Sequence, residues 1–249
     1  MFKLIIFDLD GTLAESKQPL TNRMAVLFAR LLVTAKVAII SGGAFPQFLK
    51  QVVTQLPSGA NLANLFILPT SGAAFYEYRN DKWEKLYEER LSAKEAHAIE
   101  AAIRSAAQET TIIDFLKPAW EERIEYRGGQ VTVSALGQQA PLALKKEWDP
   151  DHTKRHMLRA NIAARLPEFS VSIGGATSID VTKHGIDKAY GIKKLCERLG
   201  VNETDSLYVG DELESGGNDE AVYKTGVSTK SVNGPAETIQ LIEALLATT

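Results

Sequence analysis

Phe2-Lys3-Leu4-Ile5-Ile6-Phe7-Asp8-Leu9-Asp10-Gly11-Thr12-Leu13 is the stretch whose reading decides the fold. Leu4 to Phe7 is a continuous apolar run, β-branched at Ile5 and Ile6. Such a run suits a strand buried on both faces of a parallel sheet. Asp8 and Asp10 follow it, and Gly11 permits a sharp turn. Open α/β sheets bind ligands off the carboxyl ends of their strands, so both acids stand where chemistry is expected. If the extended geometry persists, a spacing of two sends both side chains from the same face. Close carboxylates repel unless a proton or a cation relieves them, and a hard divalent ion such as Mg²⁺ suits oxygen ligands. An Asp-x-Asp alone is equally compatible with an acidic βα turn that caps a helix.

Moving outward, Thr21 is placed to cap a helix through Met24, Leu27, Phe28, Leu31 and Leu32. Lys36 to Ile40 reads as a second strand, ending in Ser41-Gly42-Gly43. A serine and two glycines between a strand and a helix let backbone N–H groups approach an anion such as phosphate. A helix from Phe45 to about Leu56 and a strand from Leu65 to Leu68 follow. Ser71 to Tyr78 and Lys82 to Tyr87, joined at Asn80-Asp81, read as a hairpin.

From about residue 88 to 184 the texture changes. Ser92 caps an Ala/Glu-rich helix through Ala107. Ile112-Ile113, Glu121 to Tyr126, Gln130 to Ala135 and Phe169 to Ile173 read as extended, and Asp151 to Leu166 as helix. These predict an inserted α+β cap domain with an antiparallel sheet and helices on one face. Residues 1–87 and 185–249 then form a doubly wound α/β core around a parallel sheet. Its second half has a helix over Lys188 to Leu199, a strand over Ser206 to Val209, a short strand near Gly226 to Thr229 and a closing helix over Ala236 to Leu246.

Leu207-Tyr208-Val209-Gly210-Asp211 repeats the first strand's logic, an apolar run with an acid at its carboxyl end. Neighbouring parallel strands would bring Asp211 to Asp8 and Asp10, and three carboxylates on one rim call for a metal. Ser215-Gly216-Gly217-Asn218-Asp219 follows closely, and Lys188 opens its helix. By themselves, a lysine in a first turn is a solvated cation and Asp219 is an acid meeting a helix dipole.

Composition narrows the function. The chain has 249 residues, 45% of them hydrophobic, a net charge of −3 and one cysteine, Cys196. Its basic residues are dispersed, which argues against nucleic acid as a partner. A single cysteine excludes an internal disulfide and fits a reducing compartment. No run is long enough for a bilayer and no secretory leader is read, so a cytoplasmic protein without membrane association is expected.

Taken together, Phe-Asp-Leu-Asp-Gly-Thr-Leu, Ser41-Gly42-Gly43, Lys188 and the Gly-Asp-x-x-x-x-Gly-Gly-Asn-Asp string at Gly210 to Asp219 resemble the haloacid dehalogenase superfamily, in its capped subfamily IIB. The spacing of the last string, and Gly174-Gly175-Ala176-Thr177-Ser178-Ile179-Asp180-Val181, is similar to the eukaryotic-type phosphomannomutases. The resemblance implies Asp8 as a nucleophile forming an aspartyl phosphate, Asp10 as general acid/base and Lys188 as a cation at the phosphoryl group. It implies Mg²⁺ at Asp8, Asp211 and Asp10, the last through its main-chain carbonyl. Thr12, Ser41, Gly42 and Asn218 would serve phosphate or substrate, with Asn218 and Asp219 supporting the metal shell or orienting Lys188. Cap residues Arg127, Ser178 and Asp180 would hold the substrate's distal phosphate and hydroxyls.

The pattern departs at Gln138, where the family carries a second clamp arginine. Lys145 stands near the third clamp position and Lys17 replaces an arginine in the first loop. Neither Gln nor Lys reproduces a bidentate guanidinium. The expectation is therefore a phosphatase acting on a small phosphorylated metabolite, a sugar phosphate by the resemblance. A hexose phosphomutase is the alternative, and a non-catalytic phosphate- or metal-binding module a third reading. The expected partner is a small phosphorylated molecule, with a homodimer admitted.

Overall fold

A computed structural model describes residues 2–247. In chain order the elements are β1 (Leu4–Phe7), α1 (Asn22–Thr34), β2 (Lys36–Ile40), α2 (Phe45–Gln51), β3 (Leu65–Leu68), β4 (Ala74–Arg79), β5 (Lys82–Glu88), α3 (Ala93–Thr110), β6 (Ile124–Tyr126), β7 (Gln130–Ser134), α4 (Leu142–Trp148), α5 (Thr153–Arg165), β8 (Phe169–Ile173), β9 (Ser178–Lys183), α6 (Lys188–Leu199), β10 (Ser206–Gly210), β11 (Ser228–Ser231) and α7 (Pro235–Ala247). They divide into two compact units. The first runs to Glu88 and resumes at Asp187, and the second comprises Glu89–Ile186.

The first unit is built on a seven-stranded sheet in the order β11-β10-β1-β2-β3-β4-β5. β11, β10, β1, β2 and β3 pair in parallel, whereas β4 and β5 are antiparallel. Alternation along the strands supplies two cores. Ile5, Phe7, Val37, Ile39, Ile67 and Val209 pack with residues of α1, α2 and α7. Leu4, Ile6, Ala38, Ile40, Leu68 and Tyr208 pack with α6. This two-sided burial is why β1, β3 and β10 are near-continuous apolar runs.

The second unit carries a four-stranded antiparallel sheet in the order β6-β7-β9-β8. Val131, Val133, Ile173, Ile179 and Val181 form one face and pack with Ile99 and Ile103 of α3 and Leu158 and Ile162 of α5. The opposite face is polar: Gln130 pairs with Thr182, Thr132 with Asp180 and Ser134 with Ser178 across β7 and β9. α3 opens on a capping box of Ser92 and Glu95.

Several sequence expectations need correction. α2 ends at Gln51, and Val53–Gln55 form a separate 3₁₀ turn. The β-branched run Val52-Val53-Thr54 is a poor continuation of a helix. Ser71 lies in a tight turn before β4. Ile112-Ile113 form no strand: α3 ends in a left-handed residue, Thr111, and Ile113 instead enters the unit's apolar core. β6 is cut to three residues. α4 was not expected; it follows Pro141, whose ring is compatible with a helix start. α5 begins at Thr153, its first N–H groups bonded by Asp151 and Asp149 carboxylates. β11 starts two residues later than Gly226, at Ser228.

Candidate active site

The parallel order β10-β1-β2 places three carboxyl ends side by side. Asp8 directly follows β1, Ser41 follows β2 and Asp211 follows β10. The Asp8 N–H donates to the Val209 carbonyl at 2.9 Å, which ties the first acid to the neighbouring strand.

Asp8 is buried, and its Oδ1 accepts from Lys188 Nζ at 2.6 Å. Lys188 is the first residue of α6, whose N-cap Asp187 accepts from the Tyr190 N–H. The same ammonium reaches Asn218 Oδ1 at 2.7 Å, Asp219 Oδ1 at 2.5 Å and the Tyr208 hydroxyl at 3.4 Å. The Tyr208 hydroxyl in turn donates to Asp219 Oδ1. Burial by itself disfavours a charged lysine, but Asp219 and Asp8 outweigh it and hold Lys188 protonated, above its ordinary range. Burial raises the Asp8 carboxyl well above the usual carboxylate range, Lys188 opposes the shift, and Asp219 and Asp211 add to it. Burial also lifts the Tyr208 phenol, with Asp219 and Asp8 reinforcing it, so the phenol stays protonated.

Asp211 Oδ1 accepts from the Thr12 hydroxyl at 2.8 Å. Burial pushes the Asp211 carboxyl up to about 7, partly offset by Thr12, with Asp219 and Glu212 adding to the rise. Gly11 sits at φ +94°, and a Cβ there would come within 2.2 Å of Asp211 Oδ2. Glycine is therefore required both for the turn and for the approach of the acid.

The Asp10 carboxylate accepts from the Lys17 N–H at 2.7 Å and the Gln51 amide at 3.1 Å on Oδ1, and from the Gln47 amide at 3.1 Å on Oδ2. The extended geometry does not persist this far, because β1 ends at Phe7. The chain then turns, Leu9 enters the core, and the alternation of a strand no longer holds. Gln51 is itself anchored on the Gln18 carbonyl.

These side chains are compatible with Mg²⁺. Among the described residues no three His, Cys, Asp or Glu side chains gather as a cage. Mg²⁺ is ordinarily held by one or two carboxylates, with water and substrate phosphate completing the shell. Asp8 Oδ2 is buried without a hydrogen-bond partner, and burial disfavours the charged form of the neighbouring Asp211 carboxyl, which a cation would relieve. Both are hard oxygen donors, as the ion demands.

Ser41 is buried, its carbonyl accepting from the Ser71 N–H at 2.9 Å while the Gly43 carbonyl accepts from Thr70 N–H at 3.0 Å. Gly42 lies between these two clasps. Thr70 and Ser71 have φ of 52° and 57°. A β-branched residue in that region is strained, and such strain persists only where the surroundings over-determine it.

In the second unit, Arg127 Nη2 donates to Glu125 Oε2 at 2.6 Å and to the Gln138 side-chain oxygen at 3.0 Å. Lys145, buried in α4, donates to the Gln138 main-chain oxygen at 3.3 Å. The three positions for which the resemblance implies a clamp therefore meet in one cluster. Asp180 accepts from the Thr132 hydroxyl at 2.7 Å on the polar sheet face, two residues from Ser178.

Sequence reasoning missed Tyr208, Gln47 and Gln51. Tyr208 stands in an apolar run, and nothing local reveals that its hydroxyl meets Asp219. Two glutamines four apart on one helix offered the only hint for the others.

The profile of the family "Eukaryotic phosphomannomutase" matches residues 24–248. The chain belongs to the eukaryotic phosphomannomutase family. Phosphomannomutase 2 of Dictyostelium discoideum is 25% identical over 249 residues, covering 96% of this chain and 94% of the relative. The phosphomannomutase of Saccharomyces cerevisiae is 25% identical over 251 residues, covering 97% and 93%. Solved structures share the fold: an N-terminally truncated IMP-nucleotidase of Plasmodium falciparum superposes with a TM-score of 0.72 at 15% identity, covering all of this chain and 71% of that one. A Streptococcus mutans protein superposes with a TM-score of 0.67 at 15% identity, covering 99% and 100%. No helix among the described residues is long and apolar enough to cross a membrane.

Proposed function

We propose that this family member is a Mg²⁺-dependent phosphomutase acting on a hexose phosphate, with Asp8 as the phosphoryl acceptor. This reverses the preference for hydrolysis that Gln138 suggested. The observation that carries it is the cluster of Arg127, Gln138 and Lys145. The glutamine does not erase the cationic character of the clamp, because Lys145 Nζ stands 3.3 Å from the Gln138 carbonyl and Arg127 is bonded to its side chain. Two cations thereby gather at Gln138, a character suited to a phosphate that is not being transferred, which a mutase must hold and a simple phosphatase need not. The family relatives, themselves named phosphomannomutases, lend support over nearly the whole chain.

In this reading phosphorylated Asp8 gives its phosphoryl group to the free hydroxyl of the hexose monophosphate, and the resulting bisphosphate returns its other phosphoryl group to Asp8. Lys188 lies against Asp8 and stabilises charge on the phosphoryl oxygens. Asn218 and Asp219 fix the direction of its ammonium. Asp10 takes the proton from the attacking sugar hydroxyl and returns it to the leaving one. Gln47, Gln51 and the Lys17 N–H hold its carboxylate ready. Ser41 and Gly42 supply polar groups beside the phosphoryl oxygens. Ser178 and Asp180 offer hydrogen-bond partners for sugar hydroxyls. Mg²⁺, held by Asp8, Asp211 and the Asp10 main-chain carbonyl, would neutralise charge on the phosphoryl group.

Hydrolysis is the second reading, favoured by the neutral amide of Gln138 at the centre of the clamp. The test is a time course with mannose-1-phosphate and glucose-1-phosphate, Mg²⁺ and a hexose bisphosphate primer. Accumulation of the 6-phosphate isomer supports the mutase; free sugar and inorganic phosphate in its place would establish the phosphatase.

A further inference from the structure

Lys188 has three N–H bonds to give and faces four oxygens. Asp8, Asn218 and Asp219 lie at 2.6, 2.7 and 2.5 Å, and the Tyr208 hydroxyl at 3.4 Å. Two of the four belong to buried carboxylates that compete for one ammonium. Asp219 is the more enclosed, with no exposed surface. Its Oδ2 is supported only weakly, by the Glu212 N–H at 3.3 Å. A buried carboxylate so placed draws strongly on any nearby cation.

Tyr208 intervenes at this point. Its ring is fully buried on the α6 side of β10, among Leu4, Ile6, Ile192 and Leu195. Its one polar atom is aimed out of that core and donates to Asp219 Oδ1, the same oxygen that Lys188 uses. The backbone keeps the arrangement tight: a Cβ at Gly210 would come within 2.2 Å of Asp219 Oδ2 and 2.8 Å of the Tyr208 ring.

We infer that Tyr208 is a positioning residue: by sharing Asp219 with Lys188, its hydroxyl leaves the ammonium available to Asp8 and to the phosphoryl group Asp8 receives. Without it, Asp219 Oδ1 has Lys188 as its donor and draws the ammonium away from Asp8. This inference rests on the reading of Asp8 as phosphoryl acceptor. It assigns a role to a hydroxyl that an apolar strand has no need of, since phenylalanine would fill the same volume.

The test compares wild type with Tyr208→Phe, the full chain with Mg²⁺ in both cases. Orthovanadate, which mimics the five-coordinate transition state, and inorganic phosphate are titrated by calorimetry, and kcat is measured with glucose-1-phosphate. Loss of an interaction made chiefly in the transition state should weaken vanadate and lower kcat together, by about tenfold, with phosphate affected much less. In an Asp219→Asn background the further change Tyr208→Phe should alter vanadate affinity less than twofold, because no carboxylate remains to be shared. A folded Tyr208→Phe that binds vanadate as wild type does overturns the inference and makes the hydroxyl a structural partner of Asp219. Equal losses in the two backgrounds overturn it as well. Wild type that binds neither anion overturns the reading of Asp8 and the inference with it.

Discussion

The two units bury charged clusters of opposite character. Around Lys188 the first unit gathers Asp8 and Asp219 in direct contact, with Asp211 near enough to raise the Asp8 carboxyl. The second unit places Arg127 and Lys145 about Gln138, with Glu125 as the acid on Arg127. An acid-rich cluster with one fixed cation favours a further cation, and a cation-rich cluster favours an anion. On the proposed reading the chemistry and the choice of substrate are housed separately, so the two can be disabled independently.

The largest effect should come from the acid-rich cluster. Asp8→Asn is expected to lower turnover by ~10⁴-fold or more with an unchanged circular dichroism spectrum, since an amide is no phosphoryl acceptor. Substantial turnover in a folded variant would remove Asp8 from the centre of the comparison. Chelation should be nearly as severe. Excess EDTA is expected to abolish turnover and added Mg²⁺ to restore it, while calorimetry on the stripped protein should register Mg²⁺ binding that Asp211→Asn weakens.

Lys188→Met should lower kcat by ~10²–10³-fold, in keeping with loss of one preorganised donor. It should also destabilise the protein by about 3–5 kcal/mol, because it leaves Asp8 and Asp219 buried without their cation. Urea melts provide the second number. A variant of undiminished stability would mean that the acids are relieved by protons and not by Lys188.

Changes in the cation-rich cluster should be milder and of another kind. Arg127→Ala is expected to raise KM for hexose phosphates by ~10–100-fold, as for loss of a charged contact of about 1.5–3 kcal/mol. KM for a small generic ester should hardly move. Equal losses on both substrates would mark Arg127 as a structural partner of Glu125. Gln138→Arg should shift products further toward the isomerised phosphate, sharpening the separation of the two clusters.

The last effect, on stability and not on turnover, is a pH dependence. In the metal-free protein the Asp211 carboxyl is held at about 7, against about 3.9 in an unfolded chain. The folded state therefore binds a proton that the unfolded state has released. That contribution is fully present below about pH 4 and lost as pH rises through about 7. Mg²⁺ should consequently raise the melting temperature more at pH 8 than at pH 6. Melts across that range with and without the ion check the sign.

How much of this was legible without coordinates varied with the range of the interaction. β1 and its acid, β10 and its acid, and the helix Lys188–Leu199 were read from local runs and periodicity, which need only a few neighbouring residues. α4 was overlooked because its seven residues are too short for a periodic signal. The substitution of Gln138 was read as the loss of a clamp because sequence alone compares positions one at a time. Lys145, brought beside it by α4, changes that reading.

What the sequence by itself determined was the α/β alternation, the inserted α+β segment and the acids at the strand ends, because burial patterns and turn residues act locally. What only the tertiary structure decided was the pairing of polar atoms. Asp10 turned to Gln47 and Gln51, Tyr208 spent its hydroxyl on Asp219, and Arg127 and Lys145 met at Gln138. A buried donor or acceptor must find a partner wherever the fold offers one. The identity of that partner follows from which distant segments the sheets and helices bring together, and a linear pattern does not carry it.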